Sequence, residues 1–422
     1  MPGPMDRSRR RIAIVSGFQI INNPRVVKEA DALAAAGHDV TVLSAINNAA
    51  DLPRIRAIAD VAAWRHLPVV DLTDTSPASR LRNTTMRMAA RLAREARTRF
   101  GYDHPLQLGH ETGPLLRAAR RLGADLYSLH LEKSPWVGLK LLADGRHVRM
   151  DGEDWDTQDG LPADRAKRPI RLMRQAENEL LNRSVHATAT SRSMADALVA
   201  AYGCPRPEVI YNSFPTSDRD HLDGLILDRK DTSLPSITWF SQTIGPGRGL
   251  ETLMQALPML TVPVEVHLRG TPRAGYIEAL LSDLPPDIRA RVYIHPQVPQ
   301  SELLSRLSEH DIGFCGELSD CVSRDVTITN KVFEYMRAGQ AIVASDTLGQ
   351  TEVANTAPNA VRLFAQGNAA SLVSALEPLA ASPVARQAAA QASIDALEDH
   401  FSWEISMARL QRQVDGFLDA LD

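Results

Sequence analysis

The sequence has few cysteines and no recognisable cysteine pattern. Its 422 residues include three, Cys204, Cys315 and Cys321, and their spacing suits neither a metal site nor a disulfide framework. A small, odd number of thiols is typical of a protein in a reducing compartment. We therefore expect buried or incidental thiols in a cytoplasmic protein.

Long apolar runs and a strong excess of one charge are also missing. No run of about eighteen apolar residues could span a membrane, so any membrane contact is expected to be peripheral. The basic residues 1–11 precede an apolar run that is too short for a signal peptide and lacks a cleavage site, so we expect a polar leader before a first strand. A net charge of −4 gives no overall reason to expect nucleic-acid binding.

What the sequence does contain is an alternation of strands and helices, and its length predicts two domains of about 200 residues each. Residues 12–16 form an apolar run of strand length, and Asn23 and Pro24 then favour a helix start. Gly37 ends the helical pattern, and residues 40–43 resemble a second strand. This β-α-β pattern is typical of a parallel sheet.

The same alternation continues along the chain. Further strand-like runs occur at 125–129, 147–150, 186–190, 209–211, 237–241, 264–268, 292–294, 312–315, 341–345 and 361–364. A polar segment at 214–235 interrupts the pattern, which predicts domains at 10–213 and 236–398 and a final helix at 399–422. Both domains are expected to be doubly wound α/β folds with ligands beyond the carboxyl ends of their strands, in a cleft between the domains.

A glycine-rich turn follows the first strand of the second half. Gly245, Gly247 and Gly249 surround Arg248 just before a helical stretch. Backbone N–H groups and an arginine in such a turn can hold a diphosphate. The alternative is a tight strand-to-helix turn with a solvated arginine.

A second candidate segment begins at Thr329 and Asn330, which are predicted to cap a helix. Lys331 and Glu334 are expected on its exposed side, where a lysine can meet a phosphate and a carboxylate can accept ribose hydroxyls. The alternative is a surface ion pair that favours the helix dipole. Three apolar residues are expected to face the core: Val332, Phe333 and Met336.

The ordered set of segments resembles glycosyltransferase family 4 over nearly the whole chain. The segments are NPRVVKEADALAAAGHDVTVLS, ADLYSLHLE, VRMDGEDWD, ATATSRSMADAL, VIYNSF, GPGRGLE, HLRGTP, HPQVPQSEL, DIGFCG, NKVFEYMRAGQAIVASD and FSWEISMARL. The resemblance implies a GT-B fold of two Rossmann-like domains, with the final helix crossing back to the first. It also implies a hexosyl or related transferase that retains anomeric configuration and needs no metal or other cofactor. Its donor would be a nucleotide sugar, UDP-linked first and GDP-linked next.

On the donor side, Glu334 is similar to the second glutamate of the family's Glu-x7-Glu motif, which holds the ribose, while Val326 stands in place of the first. Arg248 is similar to the residue that neutralises the donor diphosphate, with Lys331 as a companion. Gln242 or Thr243 replaces a second basic residue of the family.

The resemblance also assigns two residues to the base of the nucleotide. Backbone groups of Gln297 and Val298 correspond to a loop that reads the base in the family.

Acidic residues follow a predicted strand on the acceptor side. Asp151, Glu153 and Asp154 stand where relatives often carry Asp-x-His-Glu, and a carboxylate there could act as general base. The alternatives are a divalent cation site or a helix cap. His130 matches a strand end that often bears histidine, although a packing role fits it equally.

Two further residues, Gly17 and Arg25, flank the first loop. In the family this loop brings acceptor and donor together, and the usual double glycine is reduced to Gly17 alone. The alternative for Arg25 is a solvated residue in the first turn of a helix.

Residues 79–100 carry seven arginines and one acid. A helix would place Arg80, Arg87, Arg91 and Arg94 on one face, and another face would carry Leu81, Met88 and Leu92. Such a helix can lie on an anionic membrane. A solvated surface helix and a groove for an anionic polymer are the alternatives.

Together these features predict a cytoplasmic glycosyltransferase, peripheral at the inner face of the membrane. Its acceptor would be a hydroxyl of a polysaccharide, a glycolipid or other lipid-linked glycan, or a small metabolite. A nucleotide-sugar epimerase and a non-catalytic nucleotide-sugar-binding partner of a glycan assembly complex remain alternatives. A dinucleotide oxidoreductase is disfavoured because the first turn, SGFQIINNP, lacks G-x-G-x-x-G spacing.

Overall fold

The computed structural model describes residues 9–130, 132–229 and 231–421, so most of the predicted leader lies outside the described residues. Two compact units account for the contacts of the chain. The first unit comprises Met1–Thr190, Ala195–Ile210 and Met407–Asp422, and the second comprises Ser191–Met194 and Tyr211–Ser406. The domain boundaries expected from the sequence stay predictions.

The first unit is built on a parallel sheet whose seven described strands run in the order β3-β2-β1-β4-β5-β6-β7. The strands are β1 Arg11–Ser16, β2 Asp39–Ile46, β3 Arg65–Asp71, β4 Leu126–His130, β5 Val148–Gly152, β6 His186–Ala189 and β7 Glu208–Val209. The central strands are buried on both faces, as expected when helices cover a parallel sheet.

Helices connect these strands, and they belong to the first unit except for residues 192–194 at the start of α8. They are α1 Pro24–Ala35, α2 Leu52–Ala59, α3 Pro77–Phe100, α4 Thr112–Leu122, α5 Ser134–Ala143, α6 Pro162–Arg165, α7 Ile170–Arg183 and α8 Arg192–Tyr202. The predicted start of α1 is confirmed, because the Asn23 side chain accepts a hydrogen bond from Val26 N at 3.2 Å and Pro24 is the first helical residue.

The second unit repeats the plan with a parallel sheet of six described strands in the order β10-β9-β8-β11-β12-β13. The strands are β8 Ser236–Ile244, β9 Glu265–Pro272, β10 Val292–His295, β11 Ile312–Cys315, β12 Ala341–Ser345 and β13 Val361–Phe364. The predicted fold class, two doubly wound α/β folds, is therefore confirmed.

Helices on the second sheet bury an apolar core that includes Trp239, Leu253 and Phe314. They are α9 Leu250–Ala256, α10 Tyr276–Leu280, α11 Pro286–Arg289, α12 Gln300–Ser308, α13 Val322–Val326, α14 Asn330–Ala338, α15 Leu348–Thr356, α16 Ala369–Ala381 and α17 Pro383–Ala396. The last helix, α18 Trp403–Asp419, begins in the second unit, and from Met407 onward it belongs to the first.

One strand, β3, has no counterpart among the strands predicted from the sequence. It pairs with β2 alone and carries Pro68, which lacks a backbone N–H. Proline within a short apolar run argues against a central strand, yet it is tolerated at a sheet edge. The edge position of β3 is thus the physical reason that the alternating pattern missed it.

Among the described residues, no helix is both long and apolar enough to cross a membrane.

Candidate functional site

The glycine-rich turn lies between β8 and α9, and one glycine in it is required by close packing. Gly249 has φ +72°, and a Cβ there would lie 2.1 Å from the carbonyl oxygen of Gly316. Only a residue without a side chain permits this approach of the turn to the segment after β11. The turn is therefore held against that segment, and Arg248 with it.

Arg248 and Lys331 converge on one carboxylate, that of Glu317. Arg248 NH1 lies 3.0 Å from Glu317 Oε2, and Lys331 Nζ lies 2.6 Å from Glu317 Oε1. Burial alone would raise the pKa of Glu317, but attraction by Lys331 and Arg248 lowers it to about 2. Two cations from distant parts of the sequence thus share a single buried anion.

The predicted exposure of Lys331 and Glu334 is wrong, because both residues are buried. Glu317 pairs with Lys331, while Arg337 pairs with Glu334 one turn later on α14. Charges at buried positions need such partners. The predicted core positions of this helix are confirmed, since Val332, Phe333 and Met336 are fully buried.

The predicted cap of α14 is partly found. Thr329 is the N-cap residue and Asn330 the first helical residue, but the Thr329 side chain makes no capping hydrogen bond. Thr329 is half-buried and Asn330 is exposed.

Four further residues with predicted donor-side positions lie near the carboxyl ends of β8 and β10: Gln242 and Thr243, which replace a second basic residue, and Gln297 and Val298, which are predicted to read the base. Gln242 and Thr243 are exposed and follow an irregularity in the pairing of β8 with β9. Gln297 is also exposed, and its Nε2 donates to the carbonyl oxygen of Gln242 at 2.5 Å and to Thr271 Oγ1 at 3.2 Å. Val298 beside it is half-buried.

In the first unit, three predicted site residues meet in a buried charge network. Arg25 Nε lies 2.9 Å from Asp151 Oδ2, and Asp151 Oδ2 lies 3.7 Å from His130 Nδ1. His130 Nε2 contacts Glu29 Oε2 at 3.1 Å, and Glu29 pairs with Arg149 at 2.7 Å. The alternative of a solvated Arg25 is wrong, because its side chain is 1% exposed.

This network also determines what Asp151 and His130 can contact. Their side chains are 1% and 0% exposed, so neither reaches a solvent-borne acceptor in this structure. Burial opposes the charged form of His130, but attraction by Glu29 and Asp151 raises its pKa above the ordinary value. Arg25 holds Asp151 in place, and Glu29 holds His130; both of these partners come from α1.

The carboxylates that follow β5 have a different environment. Glu153 is half-buried and Asp154 is exposed. Partial removal from water, followed by repulsion from Glu153 and Asp159, raises the pKa of Asp154 to about 7. The pKa of Glu153 is also raised, mainly by burial. A carboxyl that titrates near neutral pH is suited to accept a proton from a hydroxyl.

Glu29, His130 and Asp151 offer ligand atoms within 4.8 Å of one another. Two guanidinium groups, however, already neutralise the carboxylates: Arg149 with Glu29 and Arg25 with Asp151. A divalent cation would have to compete with both arginines at close range. The arrangement therefore favours a set of ion pairs over a metal site.

Gly17 in the first loop is required by a side chain that lies against it. A Cβ at Gly17 would lie 2.6 Å from Cβ of Lys133. Lys133 pairs with Glu111, and its Nζ lies 4.6 Å from the centre of the Phe18 ring. The single glycine of this loop thus permits a lysine to pack across it.

The arginine-rich segment forms α3. Arg80, Arg87, Arg91 and Arg94 are exposed on one face, as predicted. The apolar face is exposed as well, with Leu81, Met88 and Leu92 at 69%, 59% and 67%. Both faces of α3 are therefore accessible to solvent in this structure.

Sequence reasoning missed Glu317, Glu29 and Arg149. Glu317 follows a buried strand without any recognisable spacing to Arg248 or Lys331. Glu29 and Arg149 lie within an ordinary helix and strand, where charged residues are usually at the surface. The one signal in the sequence was the charge of Arg149 between the apolar residues Val148 and Met150 of β5.

Comparisons with known proteins agree with this architecture. Residues 25–218 match Glycosyltransferase Family 4. No curated protein sequence matches the chain.

Three solved structures illustrate the likeness in fold. Sucrose-phosphate synthase from Thermosynechococcus elongatus is 16% identical with a TM-score of 0.70, covering 98% of this chain and 100% of that one. HepE of Anabaena in complex with UDP-glucose is 14% identical with a TM-score of 0.66, covering 97% and 100%. The UDP-forming α,α-trehalose-phosphate synthase from Burkholderia xenovorans is 12% identical with a TM-score of 0.67, covering 96% and 98%.

The chain therefore has the GT-B fold of glycosyltransferases, and its residues 25–218 match Glycosyltransferase Family 4.

Proposed function

We propose that this protein transfers a sugar from a UDP-sugar to an acceptor hydroxyl, with retention of anomeric configuration and without a metal. One observation carries the proposal: Arg248 and Lys331 converge on Glu317, and Lys331 lies one helical turn before Glu334 on α14. The two cations can hold the diphosphate of a nucleotide sugar, and the carboxylate of Glu334 can accept hydrogen bonds from its ribose hydroxyls.

The donor diphosphate would become the new partner of both cations. Arg248 is partly exposed, with 37% of its side chain accessible, whereas Lys331 is 10% accessible. An incoming phosphate would contact Arg248 first and then share Lys331 with Glu317. Positive charge fixed in advance stabilises the departing diphosphate, and that is the main catalytic contribution.

The ribose would bind Glu334. One of its carboxylate oxygens pairs with Arg337, and the other lies 3.5 Å from Gln300 Nε2. The long contact with Gln300 is the one that a ribose hydroxyl would replace. Backbone groups of Gln297 and Val298 then face the base.

A UDP-linked hexose is the first choice of donor, because HepE has been solved with UDP-glucose and the trehalose-phosphate synthase is described as UDP-forming. A GDP-sugar is the second choice. The acceptor is a glycan, a lipid-linked sugar or a small molecule. Glu153 and Asp154 are the carboxylates that would accept the hydroxyl proton, with Asp151 and His130 holding the strand behind them.

We further place the protein in the cytoplasm, with α3 on the inner face of the membrane. The exposed apolar face of α3 would enter the interface, while its arginines would contact anionic lipid. Substitution of Leu81 and Leu92 by Asp should abolish co-sedimentation with anionic vesicles. Unchanged sedimentation would count against this placement.

Donor binding is tested by calorimetry with UDP-, GDP-, dTDP- and ADP-linked sugars. Arg248→Ala and Glu334→Gln should each weaken binding of the preferred donor by about tenfold or more, the effect of one lost charged contact. Arg289→Ala, an exposed arginine on α11, is the matched control. A folded wild-type protein that binds none of these donors would overturn the proposal.

Turnover distinguishes the remaining alternatives. A transferase should hydrolyse its donor slowly and do so faster with an acceptor. A nucleotide-sugar epimerase would convert the donor with no acceptor present, and a silent binding partner would leave it unchanged.

A further inference from the structure

The first unit contains a cavity that is remote in sequence from the residues proposed to bind the donor. It has a volume of about 580 Å³ and lies among β3, α3 and α4. That volume is within the range of ligand pockets. It lies beside β3, which is at the edge of the sheet, so no further strand of the described residues covers this side.

The floor of the cavity is apolar. Leu67 and Val70 of β3, Met86 of α3, and Ala118 and Leu122 of α4 line it. Apart from Val70, these side chains are only half-buried. An apolar floor left open in this way favours contact with a hydrocarbon group.

The rim of the cavity is cationic. Four exposed arginines line it: Arg65, Arg82, Arg117 and Arg121. Among the residues that the structure describes, no carboxylate oxygen lies within 4.0 Å of any of them. Arg65 donates to Thr41 Oγ1 at 3.2 Å, and Arg82 donates to Ser79 Oγ at 3.3 Å.

Neighbouring arginines of the same unit behave differently. Arg120, adjacent to Arg121 on α4, pairs with Asp144 at 2.6 Å, and Arg183 pairs with Glu179 at 2.8 Å. The rim therefore concentrates positive charge without an ion pair inside 4.0 Å among the described residues, although Arg82 attracts Asp74 at longer range. Such a concentration attracts anions, and guanidinium groups bind phosphate in a bidentate manner.

We propose that this cavity binds a phospholipid of an anionic bilayer, with an acyl chain on the apolar floor and the phosphate on the arginine rim. Phosphate alone would leave the floor uncovered, and a neutral lipid would leave the arginines without a counter-ion. The lining residues include no aromatic side chain on which a nucleic-acid base could stack. Helix α3 contributes Arg82 and Met86 here and also exposes Leu81, Met88 and Leu92.

Binding is measured by calorimetry with decyl phosphate below its micelle concentration. Two partial ligands are measured for comparison. Inorganic phosphate represents the headgroup without an acyl chain, and decyl maltoside represents an acyl chain with an uncharged headgroup. The double variant Arg117→Ala with Arg121→Ala removes half of the rim, and Ala118→Trp fills the floor without a change of charge. Arg54→Ala with Arg56→Ala removes two exposed arginines of α2 and is the charge-matched control.

Decyl phosphate should bind at least tenfold more tightly than either partial ligand. The Arg117/Arg121 variant and Ala118→Trp should each weaken it at least tenfold, and the Arg54/Arg56 control should change it less than twofold. With vesicles, phosphatidylglycerol should be required for binding, and the Arg117/Arg121 variant should reduce it. Equal weakening by the control, or affinity for inorganic phosphate equal to that for decyl phosphate, would overturn the proposal and indicate non-specific charge attraction.

Hydrogen exchange of β1, β2 and β4, compared with the wild type, checks the folding of the first unit in every variant, because the cavity lies in that unit. Loss of lipid binding with unchanged protection of these strands supports the cavity. Intact lipid binding in both the Arg117/Arg121 and Ala118→Trp variants would overturn it.

Discussion

Two glycines of one turn, Gly247 and Gly249, have the same backbone conformation but different surroundings. Their φ angles are +79° and +72°. A Cβ at Gly247 would meet nothing closer than 3.9 Å, whereas at Gly249 it would lie 2.1 Å from Gly316 O. Alanine substitutions at these two positions therefore separate the effect of backbone strain from the effect of a steric clash.

Gly247→Ala should lower the free energy of unfolding by about 1 to 2 kcal/mol, because alanine must adopt the left-handed backbone conformation there. Gly249→Ala should cost about 1 to 3 kcal/mol more, because the turn must also move away from Gly316. That movement displaces Arg248, so Gly249→Ala should weaken donor binding while Gly247→Ala should not. Denaturant unfolding and calorimetry measure both effects, and equal losses in the two variants would contradict the packing argument.

The acceptor-side carboxylate Asp154 should give transfer activity a pH dependence. Its pKa is raised to about 7, so the carboxyl is protonated below that pH and cannot accept a hydroxyl proton. If Asp154 is the base, kcat/KM should fall as the pH drops through about 7. Asp154→Asn should abolish most activity together with this inflection.

The control for this experiment is Asp159→Asn. Repulsion from Asp159 contributes to the raised pKa of Asp154, so its removal should keep the activity and move the inflection to lower pH. An inflection that survives in Asp154→Asn would assign the base to another residue, with Glu153 as the next to test.

At the scale of elements, β9, β10 and the segment between α12 and β11 bring three histidine rings together in the second unit. His267 Nδ1 lies 3.0 Å from His295 Nε2, and its ring centre lies 4.4 Å from that of His310. Glu265 and Tyr293 also contact His267. The contact between His267 and His295 is a hydrogen bond only if one of the two nitrogens is unprotonated. Protonation of both rings in acid therefore breaks this hydrogen bond.

Burial and the neighbouring histidines lower the pKa of His267 to about 2, although Asp228 opposes the shift. An unfolded histidine titrates near 6.5, so below that pH the unfolded state binds more protons and stability falls. The loss should reach about 2 kcal/mol at pH 5. Two arginines also lie near the histidines: Arg229 is 3.8 Å from Glu265, and Arg269 pairs with Asp228.

His267→Gln should flatten the decline in stability of the second unit between pH 7 and pH 5, as followed by urea unfolding. His400→Gln, at an exposed histidine, should leave the decline unchanged. A decline of the same size in His267→Gln would show that another group is responsible.

Periodicity predicted most of the strands because their apolar runs are buried in parallel sheets and bounded by helices. It missed β3, where Pro68 interrupts the run at a sheet edge. It placed Lys331 and Glu334 at the surface, since helical spacing reports which face is apolar but not which charges find a partner. Glu317 lies 14 residues from Lys331 and 69 from Arg248, and spacing in sequence contains no information about such a contact.

At the scale of the whole molecule, the first unit depends on the far end of the chain. Leu410, Val414 and Leu418 of α18 are nearly inaccessible, and His38 contacts Asp415 at 3.1 Å. Burial of three such side chains contributes roughly 4 to 9 kcal/mol, comparable with the net stability of an ordinary domain. The first unit therefore draws a large part of its stability from residues that follow the second unit in the sequence.

Val414→Asp should accordingly destabilise the first unit by more than about 3 kcal/mol, because it buries a charge without a partner. Arg412→Asp, at an exposed position two residues earlier, is the control. Hydrogen exchange should show early loss of protection in β1, β2 and β4, while β8, β11 and β12 stay protected and donor binding persists. Simultaneous loss of protection in both sheets would mean that the chain unfolds as a single cooperative body, and the division into two units would then describe contacts and not stability.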